Sequence, residues 1–195
     1  MKLWQKDDTV ISDQMQQFTV GRDREFDMQL AKYDVQGSLA HTAMLERAGL
    51  LPNDEYLLIK KELEAILKDI ETGCFSLQPG VEDIHSQIEL MLTERLGDAG
   101  KNIHSGRSRN DQVAVDIKMY LRAEILEIKN AVTTLFNLLQ QLSEQHKDKL
   151  LPGYTHLQLA MPSSFGLWFG AYAESLVDDM SLLTTAYNMA NKNPL

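Results

Sequence analysis

His104-Ser105-Gly106-Arg107-Ser108-Arg109-Asn110-Asp111-Gln112 is the stretch around which the chain is arranged. Its nine residues hold two guanidiniums, two hydroxyls, an imidazole, two amides and a carboxylate, with no apolar side chain. The segment C-terminal to it decides the fold. No glycine or proline occurs between Gly106 and Pro152, and Val113, Ile117, Leu121, Ile125, Ile128, Val132, Leu135, Leu139 and Leu142 recur every three or four residues. The spacing predicts one helix over 111–148, roughly 50–60 Å long at about 1.5 Å per residue. Its apolar stripe needs partner helices and so places it in a bundle. Phe165, Phe169, Tyr172, Leu176, Met180, Leu183, Tyr187 and Ala190 predict a second long helix over 164–190, antiparallel to the first. Gly166 and Gly170 leave room for a close neighbour.

The nonapeptide itself opens the first long helix. Ser108 suits the N-cap, and Asp111 three residues on completes a short capping box. A cap needs no arginine, however, and a helix N-terminus disfavours one. Free backbone N–H groups and a positive helix end beside Arg107, Arg109 and Asn110 suit an anion, a carboxylate or a phosphate.

Toward the N-terminus, Phe26, Leu30, Tyr33, Gly37, Ala40, Met44 and Ala48 predict a helix over 24–48 that stops at Gly49. Gly37 and Ser38 on it read as close helix packing, and His41 as a hydrogen-bonded core or interface residue. A second helix runs from an Asn53 cap along Tyr56, Ile59, Leu63, Ile66 and Ile70 to Gly73. A third is capped by Asp83, lined by Ile84, Ile88, Met91 and Leu92, and ended by Gly97. Trp4, Met15 and Phe18 are the expected core anchors of the polar N-terminal arm. Leu151–Pro162 reads as a loop fenced by two prolines, and no strand-like alternation competes with the helices. The expected fold class is all-α: a small helical N-terminal domain over 1–110, then the first long helices of a central helical bundle over 111–195.

Composition narrows the function classes. A net charge of −9 over 195 residues argues against a nucleic-acid partner, and no apolar run approaches membrane-spanning length. The lone Cys74 excludes an internal disulfide and offers no metal cluster. With an N-terminus unlike a signal peptide, the expected location is cytoplasmic.

His104–Gln112 closely resembles the signature loop of the argininosuccinate lyases, in the fumarase/aspartase superfamily. Val81-Glu82-Asp83-Ile84-His85-Ser86-Gln87-Ile88-Glu89 and Leu151-Pro152-Gly153-Tyr154-Thr155-His156-Leu157-Gln158-Leu159-Ala160-Met161-Pro162 agree with that family in order and spacing, as does Gln36–His41. The resemblance implies reversible cleavage of argininosuccinate to arginine and fumarate, with no metal and no organic cofactor. It implies a homotetramer whose active sites each draw on three subunits. Carried onto this chain, Arg109, Asn110 and Thr155 hold the succinyl carboxylates with Ser108 beside them. His156 transfers the proton, and His85 stands at the pocket edge. Read from their own segments, His85 is a surface histidine and His156 an ordinary loop histidine.

Elimination next to a carboxylate builds negative charge there, so fixed donors, an acid and a base are required. Donors at 108–110 and at 155 lie at opposite ends of the predicted long helix, and other subunits have to bring them together. Gln5-Lys6-Asp7-Asp8 departs from the glycine-glycine-arginine-phenylalanine run that the family carries, and a family serine has no counterpart near Phe18–Asp23. The family's later serine-glycine-rich loop and its substrate-gripping lysine would lie beyond Leu195. The chain is therefore expected to be an incomplete portion without turnover of its own. Two alternatives stand beside this reading: elimination on another amino-substituted succinate, and a non-catalytic oligomerising or structural homologue.

Overall fold

The computed structural model describes residues 13–194, so Trp4 and Gln5–Asp8 lie outside the described residues. The elements are α1 (Asp13–Val20), α2 (Asp23–Asp27), a 3₁₀ turn (Met28–Leu30), α3 (Ala31–Arg47), α4 (Asn53–Glu71), α5 (Ile84–Leu96) and α6 (Asp98–Lys101). A second 3₁₀ turn (Asn102–His104), α7 (Arg109–Gln145), β1 (Leu150–Thr155), β2 (Gln158–Ser164) and α8 (Phe165–Ala190) complete the chain. The fold is all-α apart from the β1–β2 pair. Among the described residues two units form: residues 13–120 with Asn193 and Pro194, and Leu121–Lys192. α7 runs unbroken from one into the other.

The first unit has a core. Val35 and Leu45 of α3, Ile59, Leu63 and Ile66 of α4, and Ile84, Ile88 and Leu92 of α5 are buried together with Phe75 and Ile103. The α4 stripe is the one its periodicity predicts. The α3 stripe is not. Phe26, Ala40 and Met44 are exposed, and the inward face is Ala31, Asp34, Val35, Ser38, Thr42 and Leu45. Three of those six are polar, so a search for apolar periodicity settles on the wrong side of the helix. Met15 and Phe18, expected as anchors, are exposed as well, Phe18 by 90%.

The helix ends follow local chemistry. Gly49, at φ +73°, lets the Leu50 N–H reach back to the Leu45 carbonyl at 2.9 Å while its own N–H meets that of Glu46. Asp83 caps α5 by accepting from the Ser86 N–H at 2.6 Å. Asn53 is not the cap of α4: Pro52 holds that position, and the Asn53 amide donates to Glu46 instead at 3.1 Å. Proline serves there because its fixed φ leads into the helix and its own N–H is not needed.

In the second unit the end of α7 and the start of α8 meet closely. Ser143 Oγ donates to the Gly166 carbonyl at 2.8 Å, and a Cβ on Gly166 would stand 2.6 Å from Lys147 Cα. Arg122, further back on α7, lies over the ring of Tyr187, near the end of α8. The two helices are thus antiparallel, as their sequence implies. No apolar residue of α7 is buried, and on α8 only Gly166 and Ala173 are. No helix among the described residues is long and apolar enough to cross a membrane.

Gly100, in α6, gives the most specific packing test. A Cβ there would lie 2.5 Å from the Leu92 carbonyl carbon and oxygen, which are backbone and cannot swing aside. Gly100→Ala is therefore expected to destabilise the first unit by about 1–3 kcal/mol, the usual cost of overpacking. Urea unfolding should show a lower midpoint at unchanged slope, and an unchanged midpoint would contradict the packing described.

Candidate active site

The nonapeptide forms the start of α7 as a reciprocal cap. The Asp111 carboxylate accepts from the Ser108 N–H at 2.8 Å, and Ser108 Oγ accepts from the Asp111 N–H at 3.4 Å. His41 donates from Nε2 to the Ser105 carbonyl at 2.8 Å and so ties the loop to α3. This is the hydrogen-bonded role that its position in the sequence suggests.

The two arginines divide. Arg107 turns inward and donates to Ser38 Oγ at 2.9 Å. Burial lowers its pKa, while the charges of Asp34 and Asp116 work against that. Arg109 pairs with Glu89 at 3.2 Å and donates to Gln112 Oε1 at 3.2 Å. Glu89 also meets His104 Nε2 at 2.9 Å, and His104 followed by Arg109 holds its carboxyl below the usual carboxylate range against the effect of burial. Ser108 and Asn110 stay exposed at the helix start.

Beneath this surface lies a buried polar cluster that the sequence does not announce. His85 is not a surface histidine: only 3% of it is exposed. Its Nδ1 stands 3.1 Å from Asp34 Oδ1 and 3.5 Å from Asp116 Oδ2, close contacts shared between two carboxylates and not aligned as one good hydrogen bond. Gln112 donates its amide to Asp34 Oδ1. Gly37 faces α7 closely, since a Cβ there would lie in van der Waals contact with Asp116 Oδ1 at 3.4 Å and with Val115 at 3.7 Å. Gly37 and Ser38 thus belong to helix packing, as expected of them.

Two carboxylates this close and this dry cannot both be anions cheaply. Burial raises the Asp34 carboxyl, but His85, the Gln112 amide and Arg107 outweigh it and hold the group below its ordinary value. Asp116 moves the other way: burial, then the negative charge of Asp34, pushes it up to about 9. Asp34 is the anion and Asp116 the acid. One imidazole nitrogen and two carboxylate oxygens within 4.8 Å of one another also make a donor set of the kind that takes a divalent cation.

Thr155 and His156 belong to the second unit, where Leu151–Pro162 is no loop. β1 and β2 pair antiparallel, Leu150 with Ser164, Pro152 with Pro162 and Thr155 with Gln158, with an irregularity at Gly153. Both strands are edges of a two-stranded sheet, which is where proline is tolerated. The chain turns through His156 and Leu157 at φ +48° and +63°, a two-residue turn with both centres left-handed. Such turns favour glycine or asparagine. Here a histidine and a leucine that is 98% exposed accept the strain.

The first unit thus gathers His85, Ser108, Arg109 and Asn110, and adds Asp34, Glu89, Arg107, Gln112 and Asp116. A lyase family model matches residues 9–195, almost the whole chain. The chain belongs to that lyase family. It is 60% identical to an argininosuccinate lyase of Bacteroides thetaiotaomicron over all of its own length but 43% of that protein's. With an argininosuccinate lyase of Thermotoga neapolitana it shares 40% over 100% of the chain and 48% of the relative. The chain therefore spans about half the length of these curated relatives, or less. A solved EDDS lyase variant with bound fumarate is 25% identical and superposes with a TM-score of 0.76 over 87% of this chain and 33% of that one. A fumarate lyase from Brucella melitensis, 18% identical, shares the fold at a TM-score of 0.73 over 87% and 42%.

In this lyase chain the Asp34–Asp116 pair has a measurable signature. The folded state keeps a proton on Asp116 that the unfolded chain releases above about pH 4. Stability from this group is full below about pH 4 and is lost as the pH rises toward about 9, by at most about 1.4 kcal/mol per pH unit. Asparagine carries no such proton. Asp116→Asn should melt above wild type at about pH 8, and the gap should close as the pH falls to about 5. A gap that is absent, or that widens toward low pH, would mean that Asp116 is ionised in the folded chain.

Proposed function

We propose that this chain supplies part of an argininosuccinate lyase, which reversibly eliminates fumarate from argininosuccinate to leave arginine. The observation that carries the reading is the reciprocally capped nonapeptide at the start of α7. Ser108 and Asn110 stay exposed there at a positive helix end, in a chain 60% identical to such a lyase. In this reading Ser108 and Asn110 bind the succinyl carboxylates. Arg109 joins them by exchanging Glu89 for substrate. Thr155 adds a hydroxyl, His156 transfers the proton, and His85 lines the pocket edge. The reaction uses no metal and no organic cofactor.

The half-exposed stripe of α7, with Ile117, Leu121, Ile128 and Leu135 open to solvent, supports assembly into a homotetramer whose bundle covers it. The proposed 1–110 and 111–195 division puts the whole of that stripe in the bundle domain. A net charge of −9 supports a small-molecule substrate over nucleic acid, and the lone Cys74 fits the cytoplasm, away from any membrane. The exposed stripe supports one second reading, an oligomerising homologue without turnover.

Fumarate release, followed by ultraviolet absorbance, separates the two. A polypeptide of the relatives' length that contains these residues should turn over argininosuccinate, and the 195-residue chain alone should not. His156→Asn in the longer protein should cost about 100- to 10,000-fold in rate, the usual span for a general acid or base. Asn110→Ala should weaken succinate or fumarate binding by about 1–3 kcal/mol in calorimetry. Absent turnover in the longer protein would favour the non-catalytic homologue. Near-normal rates in His156→Asn would remove that histidine from the chemistry.

A further inference from the structure

The buried cluster has more in it than a fold requires. A packed core of α3, α5 and α7 could use apolar residues where Asp34, His85 and Asp116 stand, and replacing buried charges in that way often stabilises a protein. Instead one imidazole nitrogen is set between two carboxylates, 3.1 Å from Asp34 Oδ1 and 3.5 Å from Asp116 Oδ2. The other charged groups around it are Asp27, which accepts from the Ile84 N–H at 2.8 Å just before His85, and Arg107, which faces the carboxylates from the loop. No second imidazole or amine joins the cluster among the described residues.

We propose that Asp34 is a positioning residue for His85: as the anion facing Nδ1 it keeps the ring proton there and leaves the lone pair on Nε2. Which ring nitrogen carries the proton is set by the partner of the other. The acceptor nearest Nδ1 is the Asp34 carboxylate at 3.1 Å, with the Asp116 acid further off at 3.5 Å, and this places the proton on Nδ1. Asp34 is well suited to the task, because the Gln112 amide already orients its Oδ1 and Arg107 offsets its charge. Asp116 stands behind as the neutral acid, a second close neighbour that adds no second charge.

The consequence is one of specificity, and it rests on the reading of His85 as a pocket-edge residue. A ring with its lone pair on Nε2 accepts hydrogen bonds and does not donate them. It repels carboxylate oxygens and suits the N–H groups of the amine or guanidinium end of the substrate. The start of α7, rich in donors, suits the carboxylates. The two elements would thus sort the two ends of one dipolar substrate.

The test needs no substrate and no turnover, so its failure and the failure of the lyase reading are distinguishable. The 195-residue chain is labelled with nitrogen-15, and the ring nitrogens of its five histidines are recorded through their two-bond couplings. Loss of one set of signals in His85→Gln assigns His85. At about pH 8, above the ordinary imidazole value, wild type should show a protonated Nδ1 and a bare Nε2. Asp116→Asn should keep that pattern, since a carboxamide replaces a neutral acid. Asp34→Ala should lose it. A wild-type ring with its proton on Nε2 overturns the proposal outright, whether or not the Asp34 variant folds. Retention of the Nδ1 proton in a folded Asp34→Ala chain, or its loss in Asp116→Asn, does the same. So does a shift of the His85 nitrogens on adding one equivalent of zinc, which would make the cluster a cation site.

Discussion

One carboxylate has to be satisfied inside the first unit, and the way it is satisfied joins three helices. Asp34 sits on the inward face of α3, next to Ala31 and Val35, with almost no access to water. An isolated anion there would be costly enough to unfold the unit or to take up a proton. It does neither, because α5 brings His85, α7 brings Gln112, and the loop between them brings Arg107. These groups come from sequence positions far apart. The carboxylate is satisfied only when α3, α5 and the start of α7 are in register together. The apolar core of α3, α4 and α5 drives collapse, and Asp34 decides which collapse is acceptable.

That constraint reaches the surface loop. Arg107 and Arg109 are two residues apart, yet they serve different purposes. Arg107 is drawn down by Ser38 and by the charges beneath it, which turns the loop over the cluster. Its neighbour Ser108 is left to close the helix with Asp111, and Asn110 stays outside. His41 pins the same loop from α3 through the Ser105 carbonyl. The helix start is thus held from below by buried contacts. A binding group held on a rigid element keeps its geometry without loss of entropy on binding.

Much of this is legible in the sequence, and the parts that are not have definite physical causes. α7 and α8 can be read because a helical stripe of leucines and isoleucines over many turns has no competing pattern. The capping box can be read because a cap is a local matter of four residues. The inward face of α3 cannot, since Asp34, Ser38 and Thr42 look like solvent-facing residues until their partners are known. His85 reads as a surface residue for the same reason: its neighbour Ile84 marks the buried stripe, but the stripe is wider than its apolar members. The β1–β2 hairpin is hidden by Pro152, Gly153 and Pro162. Its strands bury almost nothing, so they carry no alternation for a pattern to detect. Nor does His156-Leu157 resemble the glycine or asparagine pair that usually betrays a tight hairpin turn.

The two units also differ in what they need from outside. The first offsets its own buried charge and has its own apolar core, and its polar loop is held by contacts within the unit. The second has a long helix with no buried apolar residue, a two-stranded hairpin with nearly all of its side chains in water, and a turn strained at two residues. A hairpin of this size gains little from its own ladder, since isolated two-stranded pairs are marginal in water. The strain at His156 and Leu157 persists only where neighbouring structure over-determines it. Within the unit that neighbour is the junction of α7 and α8, where Lys149 accepts from Phe165, His146 from Gly166, and Ser143 bonds the Gly166 carbonyl. The junction clamps the base of the hairpin and leaves its tip, with Thr155 and His156, standing free. His156 is thus fixed in backbone conformation by the clamp below it while its side chain stays open to solvent.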